Sequence, residues 1–269
     1  MLRLALVLST LLVLFGCGRD SASPSTASPS AAPEASATET VADASAGRPQ
    51  PPAFVEYIWQ HKGPAFSETA LQDAMAAWGT LVQDAGYDMM GAYVAMPRFE
   101  SENFDFLWII MWPSQAARDA AWEDWTANKV EAWSAQTGEV YSYSQTFMFA
   151  PKPGRPPTLI NDSGQGISEY IFCTYKEGHG ADDLADHEQR HAAFMDAYEV
   201  ENGATTYWWA TLAPQFETDN YDFMWFNAWQ TDAERDAGWA AYLVSPHAEQ
   251  GAEVIDCSDP ALFDSTRIL

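Results

Sequence analysis

The sequence is short of basic residues, of cysteine and of long apolar runs. It has 13 Lys plus Arg against 38 Asp plus Glu and a formal net charge of −25. Nucleic-acid binding needs basic patches, and docking on anionic lipid needs clusters of Lys and Arg, so neither is expected. A solvated acidic surface explains the same charge. No Ser-His-Asp arrangement, phosphate-binding glycine loop or CxxC pair stands out.

The longest apolar run, at 4–15, follows Arg3 and ends in the letters LFGC at 14–17. A membrane span needs about 20 apolar residues, so this run is typical of a secretory signal. Its ending resembles the bacterial lipobox, which implies a signal peptide at 1–16 and a lipid on Cys17. A plain signal peptide with an incidental cysteine is the alternative. Gly18 favours the outer membrane, with the folded part in the periplasm or at the cell surface.

Residues 17–52 follow the signal as a candidate tether. After Cys17 they are mainly Ser, Ala, Pro, Thr and Glu, with no aromatic side chain. Such a composition buries too little apolar surface to offset the entropy of ordering, which predicts a disordered tether. The expected partner of this end of the chain is a membrane, reached through the lipid.

The rest of the chain repeats itself. The segment 97–122 matches 214–239 at half of its positions without a gap, and EYIW at 56–59 recurs as EYIF at 169–172. A repeat of roughly a hundred residues is longer than a solenoid period of about 20–50 residues and indicates a duplicated domain. We call 53–152 the first half and 167–269 the second half, with 153–166 as the expected linker.

Each half has the same predicted element order, β-α-β-β-α-β. The predicted strands are 54–60, 90–96, 104–112 and 141–149, then 168–174, 205–212, 221–229 and 263–269. The predicted helices are 68–85 and 114–128, then 182–198 and 232–244. This is the order of the split β-α-β, ferredoxin-like unit, so the fold class expected is α+β with two tandem ferredoxin-like units.

The third strand of the first half, 104–112, is apolar on both faces, so both faces should be covered. Helices can cover one face, and a sister sheet packed face to face can cover the other. The arrangement resembles the dimeric α/β-barrel superfamily, here with both units fused in one chain. Its members include haem-degrading and quinone-forming monooxygenases and haem enzymes such as chlorite dismutase. That range of activities means that the fold alone does not give the function.

Several polar and aromatic residues occur in both halves. The pairs are Asp105 and Asp222, Arg118 and Arg235, and Trp122 and Trp239. We expect Arg118 to stack on Trp122 or to form a bidentate pair with Asp105, tying helix to strand. A pair of symmetric binding sites is the alternative reading of these shared residues.

The letters HEQRH at 187–191 fit the HExxH zinc-protease motif, in which two histidines bind zinc and the Glu is the base. Arg190 is a poor fit to that family, the helix belongs to a ferredoxin-like unit, and no third ligand is evident. We therefore expect no metal site and no metalloprotease.

The two histidines are instead candidates for a ligand pocket. Spacing puts Leu184, His187, His191, Met195 and Tyr198 on one helix face toward the sheet. His191 replaces Trp78 of the first half, and Asn227 replaces Ile110. The candidate pocket residues are His187, His191, Asn227, Tyr207, Trp209 and Trp225. A few polar groups in an aromatic wall are typical of a small-molecule pocket. The alternative is that His191 and Asn227 satisfy each other or the backbone in a filled core.

Three functions follow from these features. The leading one is binding of a small apolar or aromatic ligand in the second half by a lipid-anchored envelope protein. The second is a monooxygenase-type or haem-dependent oxidoreductase, because haem-degrading members of the superfamily use Asn, Trp and His. That likeness is of residue type only, so no haem ligand is assigned. The sequence does not identify a cofactor, and haem is one candidate. The third is a non-catalytic structural or partner-binding lipoprotein.

The remaining cysteines, Cys173 and Cys257, form a candidate disulfide. The first and last strands of a ferredoxin-like unit are antiparallel neighbours, which puts the end of one beside the start of the other. In an oxidising compartment this pairing predicts a bond between them.

Overall fold

The structure, a computed structural model, describes residues 51–269. The expected signal peptide at 1–16, Cys17 and almost all of the expected tether lie outside the described residues. Within 51–269, no helix is both long and apolar enough to cross a membrane.

The described chain contains strands and helices in a mixed α+β arrangement. The strands are β1 Phe54–Lys62, β2 Gly91–Pro97, β3 Phe106–Trp112, β4 Tyr141–Pro153, β5 Gln165–Tyr175, β6 Trp208–Pro214, β7 Phe223–Trp229, β8 Ile255–Cys257 and β9 Ala261–Arg267. The helices are α1 Glu68–Asp84, α2 Gln115–Asn128, α3 Val130–Thr137, α4 Ala181–Asn202, α5 Asp232–Leu243 and α6 Pro246–Val254.

Helix starts follow ordinary capping chemistry. The side chain of Ser67 accepts from the backbone N–H of Ala70 at 3.1 Å and begins α1. Ser114 accepts from Ala117 at 3.1 Å and begins α2. Such hydroxyls satisfy N–H groups that have no partner within the helix. The starts of α1 and α2 are therefore determined by residues that are close in sequence.

All strand pairs are antiparallel, and they close a ring. The first half has the order β4-β1-β3-β2, and the second half has β9-β5-β7-β6. The pairs β4–β6 and β2–β9 join the two halves at both edges. The short β8 extends the edge of β5 that also carries β9. The result is a closed barrel with no free edge between the halves.

This closure agrees with the expected fused α/β barrel, in which the sheets of the two halves cover each other. The barrel interior is one apolar cluster that draws on both halves, including Tyr57, Phe149, Tyr170 and Phe263. In β3, Leu107 and Ile109 face this interior, while Trp108, Ile110 and Trp112 pack toward the helices. Both apolar faces of the strand are therefore covered, one by the barrel interior and one by helices.

Three elements, α3, α6 and β8, were not expected from the sequence. Lys129 breaks the helical conformation after α2, with φ of −124° and ψ of −36°. The two added helices have 8 and 9 residues, which is too short for a clear helical period in the sequence. Both lie at the helical layer that covers the outer face of the barrel.

Candidate functional site

A cavity of about 510 Å³ lies between strands β5 and β7 and helices α4 and α5; we call it the second-half cavity. Five of the six candidate pocket residues line it: His187, His191, Tyr207, Trp225 and Asn227. The sixth, Trp209, lies behind this wall. Its ring stacks on Trp225 with centroids 4.7 Å apart, and its Nε1 is buried without a hydrogen-bond partner among the described residues.

A buried chain of hydrogen bonds runs along the cavity wall. Asn227 Nδ2 donates to Glu169 Oε1 at 2.9 Å. Asn227 Oδ1 accepts from the Tyr207 hydroxyl at 2.8 Å and from Trp225 Nε1 at 2.9 Å. Tyr207 is also 2.8 Å from His191 Nε2. His191 and Asn227 are thus linked through Tyr207 rather than directly.

The donors in this chain fix the tautomers of the histidines. Because the Tyr207 hydroxyl donates to Asn227, His191 must donate to Tyr207 through Nε2–H. Its Nδ1 is then an acceptor, which takes the hydrogen of His247 Nε2 at 3.1 Å. His247 Nδ1 is left as an acceptor that is buried without a partner among the described residues.

His247, on α6, was not predicted as a site residue. Its ring stacks on His187 with centroids 4.4 Å apart and lies 5.2 Å from that of His191. Burial lowers the pKa of His187 to about 4, with the neighbouring His247 and Arg190 adding to the shift. Burial also lowers the pKa of His247 to about 4 and holds that of His191 well below its usual value. All three imidazoles are neutral at neutral pH.

The HEQRH segment does not assemble as it does in a zinc protease. Glu188 Oε1 accepts from the Thr211 hydroxyl at 2.8 Å, and its other oxygen pairs with Lys152. The carboxylate is committed to β4 and β6 rather than to the histidines. No group of three or more His, Cys, Asp or Glu side chains within 51–269 has a geometry that can hold a metal ion.

The shared arginines pair with a glutamate, and the expected Arg118–Asp105 contact is wrong. Arg118 donates to Glu56 from Nε at 2.9 Å and from Nη2 at 2.6 Å. Trp112 and Trp122 donate to the other oxygen of Glu56 at 2.8 and 3.0 Å. The carboxylate is fully buried and has four donors, which compensates its lost hydration.

The second half repeats this arrangement with one change. Arg235 donates to Glu169 from Nε at 2.8 Å and from Nη2 at 2.6 Å, and Trp239 lies 3.1 Å from both carboxylate oxygens. Asn227 contributes the remaining donor, where Trp112 contributes it in the first half. This substitution connects the buried Glu169 to the histidine chain.

Asp105 and Asp222 bind strand ends instead of arginine. Asp105 accepts from the backbone N–H of Lys62 at 2.8 Å, and Asp222 accepts from that of Tyr175 at 2.7 Å. Each therefore ties the loop before a third strand to the end of the first strand in its half. Arg118 binds Glu56 rather than Asp105 for a geometric reason: Glu56 lies within β1 beneath α2, whereas Asp105 lies at the rim of the barrel.

Cys173 and Cys257 lie opposite each other in the β5–β8 ladder and form a disulfide. The bond is beside the second-half cavity, whose wall includes both cysteines. It fastens the short strand β8 to the barrel, and with it the C-terminal end of α6, whose other end carries His247.

A second cavity, of about 630 Å³, occupies the corresponding place outside β1 and β3; we call it the first-half cavity. Its polar lining includes Glu56, Gln60 and Arg118. The buried glutamates had a signal in the sequence, since Glu starts the EYI triplet that both halves share. His247 had none, because its contact with α4 depends on where the short α6 docks.

No protein-family model matches the sequence, and no curated protein matches it either. Among solved structures, the chain is similar to a candidate chlorite dismutase at 10% identity and a TM-score of 0.50, over 79% of this chain and 94% of that one. It is also similar to a candidate monooxygenase from Lactobacillus acidophilus, at 10% identity and a TM-score of 0.46, over 82% and 95% of the two chains. A chlorite dismutase from Candidatus Nitrospira defluvii in complex with imidazole gives 9% identity and a TM-score of 0.49, over 79% and 90%. At such identity the first of these likenesses shows the fold alone, which is the dimeric α/β-barrel fold of chlorite dismutase-like proteins.

Proposed function

We propose that the protein binds a small, largely aromatic or apolar molecule in the second-half cavity. The observation that carries this proposal is the buried chain His247–His191–Tyr207–Asn227–Glu169 along an otherwise aromatic wall. A few fixed polar groups within an apolar enclosure of about 510 Å³ match the usual form and size of small-molecule sites, about 300–1,000 Å³.

The polar groups also favour a particular kind of ligand. The depressed pKa values of the histidines leave no cationic imidazole to attract an anion. His187 lines the cavity, and its Nδ1 is buried without a partner among the described residues. A neutral aromatic ring bearing a single N–H or O–H group complements these features, because its donor can satisfy an imidazole acceptor.

The experiment is native mass spectrometry on the full chain, purified undenatured from the cell envelope of its host. We expect a bound organic mass that is lost in His191→Ala. Gly238→Phe fills the second-half cavity from α5, where a Cβ added at Gly238 meets only Trp229 Nε1 at 3.8 Å. Ala121→Phe, at the same repeat position in the first half, is the matched control and should keep the mass. Retention in Gly238→Phe of the mass that His191→Ala loses, or its absence from the wild-type protein, contradicts the proposal.

A monooxygenase-type or haem-dependent oxidoreductase is the second candidate, supported by the fold that the chain shares with a candidate chlorite dismutase. The side chains of the second-half cavity fit haem less well. Both ring nitrogens of His191 are hydrogen-bonded, so neither is free to bind iron. His187 packs closely on α6: a Cβ added at Gly251 would lie 3.1 Å from His187 Nε2, which leaves no room there for a flat macrocycle. Haem carried through the same purification, seen by its mass and visible absorbance, would favour this candidate over simple binding.

We also propose that a lipid on Cys17 anchors the protein in the cell envelope, with the outer membrane favoured, and that the two halves are tandem ferredoxin-like units. The lipobox-like ending at 14–17 supports the anchor, and the equivalent strand orders support the duplication. Metabolic labelling with palmitate should mark the wild-type chain and not Cys17→Ser. Equal labelling of the wild-type chain and Cys17→Ser would contradict the lipid anchor. A structural or partner-binding role would then have to be exercised without a lipid on Cys17.

A further inference from the structure

The first-half cavity is the larger of the two and is walled by tryptophan. Six tryptophans line it: Trp78, Trp108, Trp112, Trp122, Trp125 and Trp133. Trp78 meets Trp108 edge to face with centroids 5.2 Å apart, and Trp125 meets Trp133 at 5.8 Å. The indole rings thus pack against one another yet leave about 630 Å³ open. Aromatic walls of this kind favour a flat aromatic guest by stacking and edge contacts.

One buried polar group in this wall has no partner. Gln60 is 5% exposed, and its Oε1 makes no hydrogen bond within the described residues. A buried acceptor that is left unsatisfied destabilises the folded protein, and a bound molecule with a donor group would satisfy it. Gln60 lines the cavity, and its last torsion is soft, which lets the amide turn toward a guest.

The second half has a cysteine, Cys173, at the position that corresponds to Gln60. Gln60 pairs with Phe106 in the β1–β3 ladder, and Cys173 pairs with Phe223 in the β5–β7 ladder, so the two occupy the same place. Cys173 is consumed in the disulfide with Cys257. The second half therefore closes by a covalent bond the place where the first half offers a free amide.

The charged groups of the first-half cavity are already neutralised. Glu56 is bound by Arg118, Trp112 and Trp122, which leaves no net charge to attract an ion. We propose that the first-half cavity is a second, separate binding site for a neutral planar aromatic molecule with one N–H or O–H donor, recognised by Gln60. This site does not depend on the proposed function of the second-half cavity.

Indole and N-methylindole form the matched pair of probes, because they share the ring and differ in the N–H donor. Isothermal titration of the full chain should show indole binding more tightly than N-methylindole. Gln60→Leu should weaken indole roughly threefold to tenfold, the worth of one hydrogen bond, and leave N-methylindole unchanged. Far-UV circular dichroism and the unfolding midpoint establish that each variant is folded.

The site is located by two filling variants at the same repeat position. Ala121 is buried in the wall of the first-half cavity, and Gly238 lines the second-half cavity. The part of indole binding that depends on Gln60 should be lost in Ala121→Phe and kept in Gly238→Phe. Equal affinity of the two probes, no indole binding, or loss in Gly238→Phe instead of Ala121→Phe would overturn the proposal. That last result would place the ligand in the second-half cavity and leave the proposed function standing.

Discussion

At the scale of single residues, the decisive features are polar side chains placed within apolar strands. Glu56 and Glu169 are each fully buried and each held by an arginine and a tryptophan from the helix above. Removing one partner of a buried ion pair is costly because the other charge is left uncompensated. The two glutamates therefore fasten α2 and α5 to the barrel.

Replacing Glu56 by Gln should lower the free energy of unfolding by about 3 kcal/mol, since Arg118 loses its carboxylate partner. Urea unfolding followed by circular dichroism measures this. Asp105→Asn is the control: Asp105 is 42% exposed in its side chain and accepts a single backbone hydrogen bond. It should cost less than about 1 kcal/mol, and equal losses in the two variants would contradict the role given to Glu56.

The histidine cluster makes stability depend on pH in a predictable direction. The pKa values of His187 and His247 are lowered to about 4 by burial, whereas an unfolded His titrates near 6.5. Below that value the unfolded chain binds more protons than the folded one, so stability should fall as pH drops from about 6.5 toward about 4.

Urea midpoints across this pH range test the direction. His247→Asn should flatten the slope, because one depressed imidazole is removed. A slope that is identical in wild-type protein and His247→Asn would show that the cluster does not resist protonation.

At the scale of secondary-structure elements, the eight main strands and four long helices were predictable, and the short elements were not. The helical spacing of apolar residues that defines α1 and the apolar run that defines β3 both involve positions close in sequence. By contrast, α6 is 9 residues long and matters because it brings His247 onto α4. Its docking depends on contacts with a distant helix, for which the local sequence carries no pattern.

The disulfide stabilises this same region. It joins residues separated by 84 positions, and closing a loop of that length is worth about 4.5 kcal/mol in the chain-entropy description. Reduction should lower the unfolding midpoint of the wild-type chain in urea. The double variant Cys173→Ala with Cys257→Ala should have this lower midpoint both with and without reductant. A wild-type midpoint that does not change on reduction would contradict the bond.

At the scale of the whole molecule, the barrel joins the two halves by hydrogen bonds at both seams. Residues Phe149 to Pro153 of β4 pair with Pro214 to Ala210 of β6, and Tyr93 to Pro97 of β2 pair with Arg267 to Phe263 of β9. The interior cluster is shared as well. Neither half keeps its sheet edges or its core covered if the other unfolds.

The two halves should therefore unfold together. Urea transitions followed by tryptophan fluorescence and by far-UV circular dichroism should coincide, which is the mark of two-state behaviour. Hydrogen exchange near the midpoint should expose peptides from β3 and β7 at the same rate. Two separated transitions, one for each half, would show that the seams contribute little.

The sequence by itself determined the element order, the repeat, the doubly covered third strand and the helix face that carries His187 and His191. These follow from periodicity and from residues adjacent in the chain. Only the tertiary structure decided that Arg118 binds Glu56 rather than Asp105, that Tyr207 bridges His191 and Asn227, and that His247 completes the cluster. It also decided that both halves keep cavities. Partner choice and empty space depend on distances between segments far apart in sequence, and packing sets those distances only after the barrel has closed.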